Sequence, residues 1–115
     1  MPDFSHFTSL IVNFRNQRDW KQFHKPKDLA ISLMLEAAEV AEHFQWRNDE
    51  ELQTYIRTHK EQIGEELADV LYWVLLMSHD LEIDLQKALE EKMASNHKKY
   101  PVEKAKGKHT KYTDL

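Results

Sequence analysis

Two carboxylate pairs, Glu36-x-x-Glu39 and Glu66-x-x-Asp69, constrain this chain more than anything else in it, because each sits inside an otherwise apolar run. The first interrupts Leu33-Met34-Leu35 and Val40-Ala41; the second is followed by Val70-Leu71-Tyr72-Trp73-Val74-Leu75. At roughly 100° per residue, acids three apart share one face of a helix. Like charges so placed repel one another, and burial adds to the cost unless a cation lies between them. Neither run supplies that cation. No Lys or Arg occurs from Asp28 to Trp46, nor from Glu61 to Asp84, a span that carries seven acids. The basic residues lie on the flanks: Arg15, Arg18, Lys21, Lys25 and Lys27 on one side, and the segment from Lys98 on the other.

The rest of the chain reads as helix. Only two glycines and three prolines punctuate 115 residues, and β-branched residues are sparse. Phe7, Leu10, Ile11 and Phe14 recur at helical spacing within Ser5–Trp20. Pro26 breaks that helix, and Asp28 is placed to cap a second, 28 to 46, apolar almost all round and therefore expected at the centre. Arg47-Asn48-Asp49 reads as a turn or cap before a more polar stretch with Leu52, Tyr55 and Ile56. Whether that stretch runs on into the next helix or hinges near 58 to 60 is open. Glu61–His79 is the second buried helix, and Asp84 can cap a last one carrying Leu85, Ala88, Leu89 and Met93. Four or five helices around one core make an all-α, four-helix-bundle-like fold. We expect a helical domain over residues 1–97 and a basic, mobile tail over 98–115, with six lysines. The chain lacks an apolar run long enough for a transmembrane helix and a signal-like start. Zero cysteines fit a reducing compartment, here the cytoplasm. The net charge of -4 speaks against nucleic acid as a partner.

A single Glu-x-x-Glu is usually solvated surface. Two such pairs on the two most apolar helices point instead to an oxygen-only cage formed by Glu36, Glu39, Glu66 and Asp69, suited to Mg²⁺ or Mn²⁺. Di-iron bundles use Glu-x-x-His on two helices; that motif does not occur here, and His43 follows Glu39 by four. Trp46 follows Glu39 by seven residues and Trp73 follows Glu66 by seven, two helical turns that nearly restore the same face. An aromatic platform beside a metal cage suits a ligand with a flat end and an anionic end, such as a nucleotide. Lys27, Asn96, Lys98, Lys99 and Tyr100 are then candidate phosphate contacts, the last four after the final helix. Glu42 and Glu65, beside the cage acids, are candidate proton acceptors, as is Glu39 itself.

These residues resemble a known family. The two acid pairs, together with Arg18-Asp19-Trp20-x-Gln22-Phe23-His24-x-Pro26, Phe44-Gln45-Trp46, Lys99-Tyr100-Pro101 and Lys111-Tyr112-Thr113, are similar to the all-α nucleoside triphosphate pyrophosphohydrolases of the MazG-like superfamily, and within it to the dCTP pyrophosphatase subgroup. The resemblance spans about residues 10 to 115. It implies hydrolysis of a (d)NTP, dCTP or a related or modified dNTP, between the α and β phosphates. It places Mg²⁺ ligands at Glu36, Glu39, Glu66 and Asp69, and base-stacking aromatics at Trp20 and Trp46. Trp73, with Tyr72 adjacent, would complete the base pocket. It also implies a homodimer or a homotetramer built as a dimer of dimers. Eukaryotic members carry a His in the first helix where this chain has Ile11, a departure that weakens the expectation of strict cytosine selectivity. The rival readings are a dUTP or phosphoribosyl-ATP pyrophosphatase of the same superfamily, or a noncatalytic helical module that binds a basic partner.

Overall fold

The computed structural model describes residues 3–115, so residues 1 and 2, where the expected helical domain begins, lie outside the described residues. Six α-helices follow in order: α1 (Phe4–Gln17), α2 (Pro26–Glu42), α3 (Asp49–Thr58), α4 (Lys60–Asp80), α5 (Leu85–Lys99) and α6 (Val102–Ala105). Among the described residues there is no strand, and no helix is long and apolar enough to cross a membrane. Contacts within the chain divide it between Ile83 and Asp84 into two compact units.

In the first unit, the helix starts follow from capping chemistry. Asp3 caps α1 by accepting the His6 N–H at 3.1 Å, and Asn48 caps α3 by accepting the Glu51 N–H at 2.9 Å. Pro26 opens α2 rather than ending what precedes it, because its missing N–H falls where a helix has no acceptor for one. Asp28 therefore lies one turn inside the helix, not at its cap position, and its carboxylate reaches back to the Lys25 N–H at 3.1 Å. The expected extent of α1 to Trp20 was too long. Its last turn closes on itself when Arg18 and Trp20 N–H both bond the Arg15 carbonyl, at 3.2 Å each. Asp19 between them takes a left-handed φ of 53°, a conformation Asp tolerates better than most. The chain does hinge between α3 and α4, at His59, whose N–H still bonds the Tyr55 carbonyl at 2.9 Å.

Helix α4, not α2, is central: α1, α2 and α3 all pack against it. Leu75 and Leu76 of α4 and Leu29 of α2 are fully buried. The expectation that α2 is enclosed on all sides fails, since Ile31, Met34 and Leu35 are exposed, Met34 at 61%. A single layer of helices covers one face of α2 and leaves the other bare. The fourth fully buried side chain is Arg15, which forks onto Asp80 with two hydrogen bonds of 2.6 and 2.8 Å and ties α1 to the end of α4.

The second unit begins with Asp84, which caps α5 by accepting the Lys87 N–H at 3.1 Å. Helix α5 runs on to Lys99, so Asn96, Lys98 and Lys99 lie in its last turn and not after it. The basic segment from Lys98, which left alone would be mobile, contains a short helix and a 3-10 turn. Pro101 precedes α6, Tyr112–Asp114 form a 3-10 turn, and the rings of Tyr100 and Tyr112 meet edge to face at 5.9 Å. Lys99 Nζ lies 4.8 Å from the Tyr112 ring centre, a cation–π contact that helps hold the segment.

Candidate active site

Ligand atoms of Glu36 and Glu39 on α2, and of Glu66 and Asp69 on α4, all lie within 4.8 Å of one another. Burial and mutual repulsion show in their proton affinities. Glu66 is pushed up to about 7, first by hydrogen bonding to the Glu39 carboxyl, then by burial and by the charges of Glu39, Asp69 and Glu36. Burial, then Glu39 and Asp69, raises Glu36 as well, and the Trp73 indole N–H beside it partly opposes the shift. One oxygen each of Glu36 and Glu66 is buried with no hydrogen-bond partner. Unpartnered carboxylate oxygens within a cluster of four acids, none of them paired with Lys or Arg among the described residues, are the donor set of a hard divalent cation. The residues present therefore fit a metal.

The cage has two unlike ends, and the pairing of neighbours defines them. The four acids neighbour one another, but Trp73 lies beside Glu36, whereas Glu39 and Glu66 line a polar cleft. At the first end the aromatic rings form a chain. His24 meets Trp73 at 5.5 Å, Trp73 meets Tyr72 at 5.0 Å, Tyr72 meets Phe14 at 6.4 Å, and Phe14 meets Trp20 at 5.7 Å, all edge to face. The Arg18 guanidinium lies over Phe14 at 3.8 Å. Beside this chain opens an apolar hollow of about 370 Å³ lined by Leu10, Ile11, Phe14 and Tyr72. At the second end a polar cleft of about 270 Å³ is lined by Glu39, Glu42, His43, Arg47, Tyr55 and Glu66.

Trp20, Tyr72 and Trp73 are thus brought into one cluster. Trp46 is not: α2 ends at Glu42, the following N–H groups bond three and four residues back, and Trp46 lies off the helix at 83% exposure. Seven residues do not restore its face, because the helix stops before it. Glu42 joins the polar cleft; Glu65 is exposed and belongs to neither the cage nor the cleft. Lys27 is exposed in the first turn of α2. Asn96, Lys99 and Tyr100 belong to the second unit described above. Sequence reasoning missed His24, Arg47 and Tyr55. Only the i to i+4 spacing of His43 and Arg47 hinted at a shared face.

The model of the MazG-like family matches residues 31–115, which hold all four cage acids. The chain belongs to the MazG-like family. Among curated proteins, this MazG-like chain is 37% identical to dCTP pyrophosphatase 1 of Rattus norvegicus over 116 aligned positions, covering 99% of the chain and 68% of the relative. Against dCTP pyrophosphatase 1 of Homo sapiens it is 35% identical, with the same coverage of 99% and 68%. Among solved structures, a pyrophosphatase from Archaeoglobus fulgidus DSM 4304 superposes with a TM-score of 0.79 at 37% identity, covering 84% of this chain and 91% of that one.

The raised proton affinity of Glu66 has a consequence for stability. Its pKa in the folded state, about 7, exceeds the ordinary 4.5, so the metal-free fold holds a proton that the unfolded chain releases. The contribution is fully present below about pH 4.5 and lost as pH rises through about 7. The metal-free MazG-like protein therefore melts at a lower temperature above pH 7 than near pH 5, and a divalent cation in the cage raises the melting point more at the higher pH. A melting point flat across this window, with no effect of Mg²⁺, contradicts the cage.

Proposed function

We propose that this nucleotide pyrophosphohydrolase cleaves dCTP, or a related or modified dNTP, to the monophosphate and pyrophosphate, with Mg²⁺ (or Mn²⁺) held by Glu36, Glu39, Glu66 and Asp69. The observation that carries the reading is the four-carboxylate cage set between an aromatic cluster and a polar cleft. When bound, a divalent cation there supplies positive charge for phosphate oxygens and acidifies water.

The chain's own residues then divide the work. Trp20, Tyr72 and Trp73 offer ring faces and edges to the base, and Trp46, exposed in this chain, has the same role if a second subunit brings it near. Water adds through oxygen to the α phosphorus, the bond from that phosphorus to the bridging oxygen breaks, and the electron pair leaves with pyrophosphate. Glu42, which shares a cleft with Glu39 and Glu66, takes the proton, with Glu39 and Glu65 as the other candidates. Lys27, Asn96, Lys99 and Tyr100 remain proposed substrate contacts on chemical grounds.

Ile11 supports a relaxed base preference. It lines the apolar hollow beside Tyr72 and Phe14, where an apolar base substituent is accommodated and an isoleucine side chain has no hydrogen bond to offer the base edge. The expected result from a panel of the four standard dNTPs and 5-methyl-dCTP, scored separately for monophosphate and pyrophosphate, is cleavage of dCTP and 5-methyl-dCTP within about tenfold of each other. Orthophosphate alone from every substrate overturns the reading.

We also propose a bundle completed by a homodimer or a dimer of dimers, in the cytoplasm. The exposed Met34, Leu35, Leu67 and Leu71 support the oligomer, since monomers rarely leave such an apolar surface bare. A sedimenting mass of one chain at micromolar concentration contradicts it.

A further inference from the structure

The polar cleft at the Glu39–Glu66 end of the cage contains a cation that no part of the reaction above uses. Arg47 follows the end of α2, and its guanidinium lies 3.6 Å from the centre of the Tyr55 ring. Arg47 Nη1 donates to the His43 carbonyl at 2.6 Å. Tyr55 is itself fixed on both sides. Its hydroxyl is hydrogen-bonded to His43 Nδ1 at 2.5 Å, and its ring is stacked on His59, with centres 4.0 Å apart and planes 11° apart. Arg47, Tyr55 and His59 form a three-layer stack that leaves the guanidinium little rotational freedom. Although the cleft is lined by Glu39, Glu42 and Glu66, Arg47 pairs with none of them among the described residues. Its remaining N–H groups have no protein acceptor among those residues. A planar, half-buried, unpaired guanidinium beside an acidic metal cage is built to receive an anion with oxygens on two adjacent centres.

We propose that Arg47, held by Tyr55 and His43, is the seat of the pyrophosphate half of the substrate, the β and γ phosphates. The inference rests on the nucleotide pyrophosphohydrolase reading. It also sets the direction of the substrate: base at the Trp20–Tyr72–Trp73 end, α phosphate at the cage, terminal phosphates in the cleft. The geometry favours this direction because Arg47 lines the same cleft as the cage acids Glu39 and Glu66, whereas the Arg18 guanidinium at the aromatic end lies over the Phe14 and Trp20 rings on the side offered to the base. Charge that develops on the leaving pyrophosphate then meets a fixed donor, with no reorganisation at the moment of reaction.

The test is calorimetric binding of inorganic pyrophosphate, and separately of dCMP, to the full chain in the presence of Mg²⁺. Arg47→Gln weakens pyrophosphate binding by about tenfold to a hundredfold, the range of a charge-assisted contact, and leaves dCMP binding unchanged. Arg47→Lys recovers part of the loss, because a point charge replaces the fork incompletely. Pyrophosphate binding unchanged in Arg47→Gln overturns the proposal. So does an equal loss of pyrophosphate and dCMP, the mark of a residue that only braces α3 against α2. If Arg47→Gln does not fold, Arg47→Lys decides by the same comparison. A wild-type chain that binds pyrophosphate but releases none from any dNTP contradicts the function proposed above and leaves the seat standing.

Discussion

Alanine at Asp69 or at Glu39 lowers pyrophosphate release by about a thousandfold or more, while the helical signal and the melting point are kept. The two effects have different causes. A cation held at a phosphoryl centre supplies several kcal/mol of charge stabilisation in the transition state, and every ~1.4 kcal/mol is tenfold in rate. Removing one ligand of four weakens the hold on that cation and misplaces what remains. The fold, however, gains from the same change. Without metal the four acids repel, Glu66 is pushed up to about 7, and two buried oxygens have no partner. Taking away one negative charge relieves that strain, so the metal-free variants melt at the wild-type temperature or above it. Turnover rates measured with saturating Mg²⁺, beside metal-free melting curves, read both effects. Near-normal turnover in both variants contradicts the cage, and a large loss of stability assigns the acids a structural role instead.

Asp80→Ala is expected to destabilise the chain by about 3–5 kcal/mol, the cost of leaving a buried charge unpaired. That is a large share of the roughly 5–15 kcal/mol by which native domains are stable. Arg15 is 1% exposed and makes both of its hydrogen bonds to Asp80, so the variant strands a guanidinium in the interior. Arg15→Met together with Asp80→Leu removes both charges and restores most of the stability. The pair also shapes the site. The Arg15 carbonyl receives the Trp20 N–H, so loosening Arg15 loosens the turn that carries Trp20. Hydrogen bonding to Arg15 holds the Asp80 carboxyl below its ordinary 3.8. Its stabilisation is therefore present above that pH and lost as pH falls through the lowered value, the opposite sense to Glu66. Urea midpoints of the two variants measure this directly. A shift of less than about 1 kcal/mol in Asp80→Ala shows that the pair is solvated, like an ordinary surface bridge.

Periodicity and the spacing of acids were enough to locate the longer helices, though not all of their ends, and to name the four acids that the fold gathers, because both are local properties of a helix. What could not be read depended on contacts far apart in the chain. Arg15 reads in sequence as one more basic flank residue; only a partner 65 positions away turns it into a buried ion pair. The end of α2 was misplaced because nothing apolar changes between Val40 and Phe44, and the helix stops through three-residue backbone bonds that periodicity does not encode. That error put Trp46 on the cage face and hid Arg47, which meets Tyr55 only because the chain turns there. The exposed side of α2 was misread for a different reason. An apolar face looks the same in sequence whether its own chain or a second copy covers it.

The proposed function requires that water attack the α phosphorus of a dNTP at the four-carboxylate cage. The most direct measurement is to hydrolyse dCTP in water carrying heavy oxygen, with Mg²⁺, and locate the label by mass spectrometry. The expected result is one heavy oxygen in each dCMP and none in the pyrophosphate, in amounts that depend on the metal and vanish in Asp69→Ala. Label in pyrophosphate or in orthophosphate, or turnover that survives the loss of Asp69, contradicts it.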